Sequence, residues 1–328
     1  MQFVADHRDH DKWWGLNQMK HGDLASMSNL DFLDKFYTNH VANFRRPKYN
    51  GPKNVNLYIH GDSYLYKMYM GDSVFAGVSS LYFIGWTSIL HYHLDTTKRN
   101  IFIIEVSERL LREYYHTTKI IDEFHDTVET QGKTGVLRSA EQGQKYGSFI
   151  PGIISDNFFN KFINQNLQCN IFNYNWIKPM YGSKAALNYY LFDRASGDVI
   201  ISKDKQYLLL RQTLVPVGNG SSLSPVSDDE ISLLVNNFNE IYDYYRGTGF
   251  TEIYLSIIPN TATIVQPDGY NNLIPRVQND PRLKMAVIDI YSVFKQTKEK
   301  VFLPGDTHWN NTGKQMWFDT VNKILVGK

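Results

Sequence analysis

Serine, histidine and aspartate occur in this chain in short motifs that could carry nucleophilic chemistry or form ordinary turns. The segment "NLYIHGDSYLYKMYMGDS" carries Gly-Asp-Ser twice, as Gly61-Asp62-Ser63 and as Gly71-Asp72-Ser73. A serine hydroxyl becomes a nucleophile at neutral pH only when a base takes its proton, and that base needs an acceptor to orient it. Of the ten histidines, nine lie at or before His125, and the tenth stands alone as His308 in "VFLPGDTHWNNTG". Asp306 lies two residues before it. In an extended segment residues i and i+2 project from one face, so carboxylate and imidazole can reach a common pocket. The pair immediately precedes a predicted helix, whose N-terminal dipole would disfavour imidazolium. Read alone, the segment fits a turn followed by capping residues (Asp306, Asn310, Asn311, Thr312) equally well.

The elements that must position these groups read as alternating strands and helices. "VNLYIHGDS", "SSLYFIGW", "RNIFIIEVSE", "TEIYLSIIPN" and "MAVIDIYSVF" are five short apolar runs, as buried parallel strands should be. Ser227-Asp228-Asp229-Glu230 has capping-box spacing. It opens a helix with apolar residues at Ile231, Leu234, Val235, Phe238, Ile241 and Tyr242, which Gly247 and Gly249 should end. A last helix over "NNTGKQMWFDTVNKILVGK" would turn Trp317, Val321, Ile324 and Leu325 inward. Strands joined through helices imply an α/β fold, a three-layer α/β/α sandwich around a mostly parallel sheet. Residues 1–54 read as an N-terminal extension and about 112–226 as an insertion or lid. Within the latter, "DVIISKDKQYLLL" alternates about a polar turn and is expected to be a β-hairpin. Ligands of open α/β sheets bind beyond the carboxyl ends of the strands. Position therefore favours Ser63, at such an end. "YLYKMYM" would be the helix leaving that turn, with Gly71 as its C-cap and Ser73 at the helix end.

Composition narrows the function classes. A net charge of +1 gives no reason to expect an extended nucleic-acid partner. A single cysteine, Cys169, excludes an internal disulfide and cysteine-rich metal sites, and its polar setting gives no reason for reactivity. No window of about 20 apolar residues is present. The opening "MQFVADHRDHDKWW" lacks the apolar core of a signal peptide. Aromatic residues make up 14% of the chain, and they suit carbohydrate surfaces as well as a core.

Together the two motifs resemble the SGNH hydrolase superfamily. The likeness is nearest to its alginate O-acetyltransferase-like branch and to the bacterial DHHW-type proteins. "GDTHWNNTGKQ" fits that variant, in which one residue separates acid from base and Trp follows the His. "IFIIEVSERLL" and "LSIIPN" are weaker echoes, and the resemblance covers residues 55–110 and 250–325. It implies Ser63 as nucleophile, His308 as base and Asp306 as orienting acid, with no metal or diffusible cofactor. It also implies an O-acetyltransferase or O-acetylesterase acting on a carbohydrate or polysaccharide. The protein would be exported to the periplasm or cell surface, with a membrane-bound acyl donor as partner. The oxyanion needs donors. The Ser63 N–H is the first, and the resemblance adds Gly85 at the end of the second strand. The Asn that ordinary members place after the third strand is absent here. Arg109 stands nearby, as its replacement or as an ion-pair partner of Glu105 or Glu108.

Two other readings compete. His91 and His93, with His7, His10, His116 and His125, could ligate a metal in a hydrolase, although no acidic cluster with ligand spacing accompanies them. The missing Asn and the many aromatics also fit a non-catalytic carbohydrate-binding or assembly protein that keeps the fold.

Overall fold

The structure, a computed structural model, describes residues 22–30, 44–65, 71–85, 90–92, 94–126, 178–195 and 197–327. Its strands in chain order are β1 (Val55–Gly61), β2 (Val78–Gly85), β3 (Leu90–Tyr92), β4 (Arg99–Ser107), β5 (Phe124–Asp126), β6 (Val199–Ile201), β7 (Leu208–Leu210), β8 (Glu252–Ile258) and β9 (Ala286–Val287). Five of them form one sheet in the order β2-β1-β4-β8-β9, and every pair in it is parallel. The fold is therefore the α/β sandwich that the alternation of elements implied.

Side-chain alternation divides the sheet into two faces. Val55, Leu57 and Ile59 of β1, with Ile101 and Ile103 of β4, pack on Trp317, Phe318, Val321 and Leu325 of the helix Asn311–Leu325. Tyr58, Phe102, Ile104 and Val106 instead pack on Ile231, Leu234, Phe238, Ile241 and Tyr245 of the helix Asp228–Gly247. That helix begins as its sequence directs, with the Ser227 side chain accepting the Glu230 N–H. Each face thus buries one amphipathic helix, and many of the aromatic residues are spent there. Truncating one of the large ones, Phe238 for example, would cost about 3–5 kcal/mol. Among the described residues no helix is long and apolar enough to cross a membrane.

The order of the strands locates a crevice. From β1 the chain steps to β2 on one side, whereas β4, β8 and β9 lie on the other. The carboxyl ends of β1 and β4 therefore flank the topological switch point, where such sheets bind ligands.

Several expectations need correction. The fifth strand is only Ala286–Val287, and "IYSVF" belongs to a helix, Ile290–Gln296, which the Asp289 side chain caps. The expected boundary near residue 112 falls inside the helix Glu108–Tyr114. Gly71 is no left-handed C-cap. Its backbone is extended (φ −124°, ψ 160°), and it precedes a short 3-10 turn, Asp72–Val74. The other end of "YLYKMYM" is a 3-10 turn, Ser63–Leu65, and residues 66–70 lie outside the described part.

The hairpin expected in the middle segment is present as β6 and β7, paired antiparallel. It does not stand apart from the rest. Val199 and Leu208 pack with Leu24, Ala25 and Leu30 of the N-terminal segment, which includes the helix Asp23–Ser28, and with Ala185 and Tyr189. Backbone hydrogen bonds tie both pieces to the loop before His308, from Leu208 N–H to the Pro304 carbonyl (2.7 Å) and from Ala25 N–H to the Gly305 carbonyl (2.8 Å).

Candidate active site

Ser63 follows β1 in a turn held from beneath by carboxyl groups. The Asp62 carboxylate accepts the Tyr64 N–H (2.9 Å) and the Ser107 N–H (3.2 Å), clamping the turn to the end of β4. The Asp62 N–H in turn donates to Glu105 Oε2 (2.9 Å). Glu105 lies flat against Gly61, where a Cβ would stand 2.5 Å from Glu105 Oε2. A Cβ there would have to displace the Glu105 carboxyl, so contact and not φ favours glycine. Glu105 is fully buried, and burial followed by the adjacent Asp62 charge lifts its carboxyl well above the ordinary Glu value. Its Oε1 finds no hydrogen-bond partner among the described residues.

The result is a serine at the surface on a buried foundation. Ser63 is exposed while Asp62, Tyr64 and Leu65 are buried. Its hydroxyl lies 2.7 Å from His308 Nε2. On the other side of the ring, His308 Nδ1 is 2.6 Å from Asp306 Oδ1. Burial pushes the Asp306 carboxyl up, but the hydrogen bond and charge of His308 outweigh it and hold the group below its ordinary value. Ser63, His308 and Asp306, read from two ends of the sequence, thus meet in one hydrogen-bonded chain.

The acid and base meet by a different device from the one expected. Residues 304–308 form turns and bends, not an extended strand. Asp306 Oδ1 also accepts the His308 N–H (2.8 Å), so an Asx-type turn sets the i, i+2 geometry. The loop is closed by Leu303 N–H to the His308 carbonyl (3.1 Å) and by Asn310 N–H to the Val301 carbonyl (2.9 Å). Asn310 then caps the last helix by accepting the Gly313 N–H.

Two aromatic side chains lock the halves together. Tyr64 donates its hydroxyl to the Thr307 carbonyl (2.5 Å), and Trp309 Nε1 donates to the Tyr64 carbonyl (3.1 Å). Both rings are almost wholly buried. Burial also drives the Tyr64 phenol far above its ordinary range, which keeps it a donor. The Trp of the Asp-Thr-His-Trp run is therefore structural mortar, and no sugar can stack on it.

The oxyanion candidates separate. Among the described residues no acceptor is found for the Ser63 N–H. Gly85 pairs with Gly61 across the β1–β2 ladder, and no hydrogen bond between Gly85 and Ser63 is found. Arg109 places its guanidinium 5.8 Å from the Tyr64 ring centre. It makes no ion pair with Glu105 or Glu108. Glu108 instead accepts the Asn260 N–H (2.9 Å) and the Thr263 hydroxyl (2.6 Å), and burial pushes its carboxyl up to about 7. Arg109 lines a small cleft with Leu24, Tyr64, Thr213, Asn260 and Thr307.

Three contributors escaped sequence reasoning. Tyr64 sat in an expected helix. Glu105 was visible as the lone acid in an apolar strand, which should have marked it as paired or protonated. Asp23, in the N-terminal extension, gave no sequence signal. Its carboxylate accepts the Thr307 N–H (2.8 Å) and hydroxyl (2.5 Å), and its own N–H donates to Asp306 Oδ2 (3.1 Å).

Of the histidines of the metal reading, the described ones are not among the residues hydrogen-bonded to Ser63, His308 or Asp306. His91 and His125 stand opposite each other in the β3–β5 ladder, His116 is exposed, and His7, His10 and His93 lie outside the described residues. Asp23, Asp306 and His308 do have donor atoms within 4.8 Å of one another, but those atoms are already engaged in the hydrogen bonds above. Comparison of the chain with protein-family models, curated proteins and solved structures found no match.

Proposed function

We propose that the chain is a serine-dependent acyl-ester enzyme, an O-acetyltransferase or O-acetylesterase of carbohydrates that works through an acyl-Ser63 intermediate. The observation that carries this reading is the Ser63–His308–Asp306 chain, with contacts of 2.7 and 2.6 Å, at the switch point of a parallel sheet. A half-buried histidine held by a buried carboxylate and ending on an exposed serine is the arrangement that activates a serine hydroxyl at neutral pH.

In the first half-reaction Ser63 Oγ attacks the acyl carbonyl carbon while His308 Nε2 takes the hydroxyl proton. Asp306 holds the imidazole in orientation and balances the imidazolium. The oxyanion faces the Ser63 N–H, with the Arg109 guanidinium as a second donor from the cleft. Collapse breaks the bond to the leaving oxygen, which receives the proton from His308. In the second half-reaction His308 removes a proton from water or a sugar hydroxyl, the new oxygen attacks the acyl-serine, and Ser63 leaves with its proton restored. No step needs a metal or diffusible cofactor. The carbohydrate acceptor, a membrane-bound acyl donor and a periplasmic or cell-surface location are supported by the sequence resemblance.

Incubation with 4-nitrophenyl acetate, with and without an added oligosaccharide, tests this reading. The expected result is nitrophenol release that Ser63→Ala abolishes, with the acetyl group appearing on the sugar for a transferase or as free acetate for an esterase. Turnover unaffected by Ser63→Ala would refute the acyl-Ser63 reading, and no turnover at all would refute it and favour a carbohydrate-binding protein.

A further inference from the structure

The base of this site rests on a part of the chain that the two motifs do not include. Gly22 packs so closely on the Gly305–Asp306 backbone that a Cβ there would stand 2.7 Å from the Asp306 Cβ. The next residue, Asp23, reaches the same loop through three hydrogen bonds across a sequence separation of 283 residues or more. Its N–H holds Asp306 Oδ2, the oxygen that His308 does not use. Its two carboxylate oxygens hold the Thr307 N–H and hydroxyl, so the residue between acid and base is gripped at both its donors. Asp23 Oδ1 also accepts the Leu24 N–H (2.7 Å), which fixes the carboxylate to the start of its own helix. The hairpin closes the arrangement from outside through Leu208 and the Pro304 carbonyl.

We propose that Asp23 is a positioning residue of the Ser63–His308 reaction: it locks the Asp306-Thr307-His308 turn and adds a second negative charge behind the base. This rests on the acyl-enzyme reading given above. The charge matters because Asp23 and His308 interact electrostatically, and burial followed by the Asp306 charge raises the Asp23 carboxyl. Two acids so placed compete for one environment, which makes the field at the imidazole depend on both. An exposed surface aspartate has no reason to be held this way. By this account the N-terminal segment is part of the catalytic apparatus, and an engaged segment is a condition of activity.

Geometry and charge can be separated by two variants. Asp23→Ala removes the grip and the charge, whereas Asp23→Asn keeps an acceptor for the Thr307 N–H, turns the second oxygen into an NH2 group that can donate to the Thr307 hydroxyl, and removes the charge. The readout is the rate at which a fluorophosphonate probe labels Ser63 between pH 5 and 9, with Ser63→Ala as the blank. Asp23→Ala is expected to slow labelling about tenfold or more at every pH with little change in the probe concentration for half-maximal rate. Asp23→Asn is expected to keep most of the plateau rate. Loss of a nearby negative charge disfavours imidazolium, so its profile should move to lower pH by about half a unit to one unit. Wild-type rates and profiles in both variants would overturn the Asp23 role and leave the acyl-enzyme reading standing. Equal losses in both variants that follow only their melting temperatures would reduce Asp23 to a structural residue. A wild-type protein that never labels would overturn the acyl-enzyme reading and this proposal together.

Discussion

Gly61-Asp62-Ser63 and Gly71-Asp72-Ser73 are the same tripeptide ten positions apart, in unlike surroundings. In the first, Asp62 is buried and accepts two backbone N–H groups, Gly61 is pressed against Glu105, and the serine faces a histidine. In the second, Asp72 is exposed, its side chain makes no hydrogen bond among the described residues, and the turn is closed by backbone bonds alone. The difference does not lie in the tripeptide. It lies in β4, whose last residues supply Glu105 and the Ser107 N–H, and in the loop that brings His308.

Removing each hydroxyl should separate the two tripeptides most. Ser63→Ala should lower covalent labelling by a probe at least about a thousandfold, as expected when the nucleophile of such a triad is lost. Ser73→Ala should leave it within about twofold. Adding a methyl to each glycine gives the next largest contrast. Gly61→Ala collides with Glu105 and should cost about 1–3 kcal/mol in urea unfolding. Gly71→Ala, at an ordinary extended φ of −124°, should cost no more than about 0.5 kcal/mol.

Exchanging the acids should have a smaller effect. Asp62→Asn gives up one charge-assisted acceptor and should cost about 1 kcal/mol, with slower labelling as the turn loosens. Asp72→Asn should be silent in both measurements.

The smallest effect is a pH slope. Glu105 has a folded-state value well above the ordinary 4.5, so above that ordinary value the native state binds more protons than the unfolded chain. Stability from this group is complete below it and declines as pH rises towards the folded value. Glu105→Gln mimics the protonated carboxyl and removes the slope. Its urea midpoint, compared with that of the wild type, should therefore improve steadily from pH 5 to pH 8.

Much of this contrast was legible in the sequence, and the limits have physical causes. The strands β1, β4 and β8 could be read because buried parallel strands must be almost wholly apolar, and the helix Asp228–Gly247 because its cap and its period agree. The preference for Ser63 followed from its place at a strand end. The Asp306–His308 pairing was right in partner and wrong in device, since an i, i+2 spacing serves an Asx turn as well as a strand. The fifth strand reads too long because "MAVIDIYSVF" is apolar on both sides of Asp289, and period alone does not separate a strand end from a helix start. Asp23 could not be found by any local rule, because its partners lie at the opposite end of the chain. Tyr64 and Trp309 were visible as aromatic residues, but their hydrogen bonds to backbone carbonyls exist only in the folded loop.

Only one serine of the two is expected to be activated, by His308. Intact mass and peptide mapping after fluorophosphonate treatment test it most directly. The account requires a single adduct on Ser63 in the wild type, none in Ser63→Ala, a strongly slowed adduct in His308→Ala, and an unchanged one in Ser73→Ala. An adduct on Ser73, or equal labelling of Ser63 with and without His308, would contradict it.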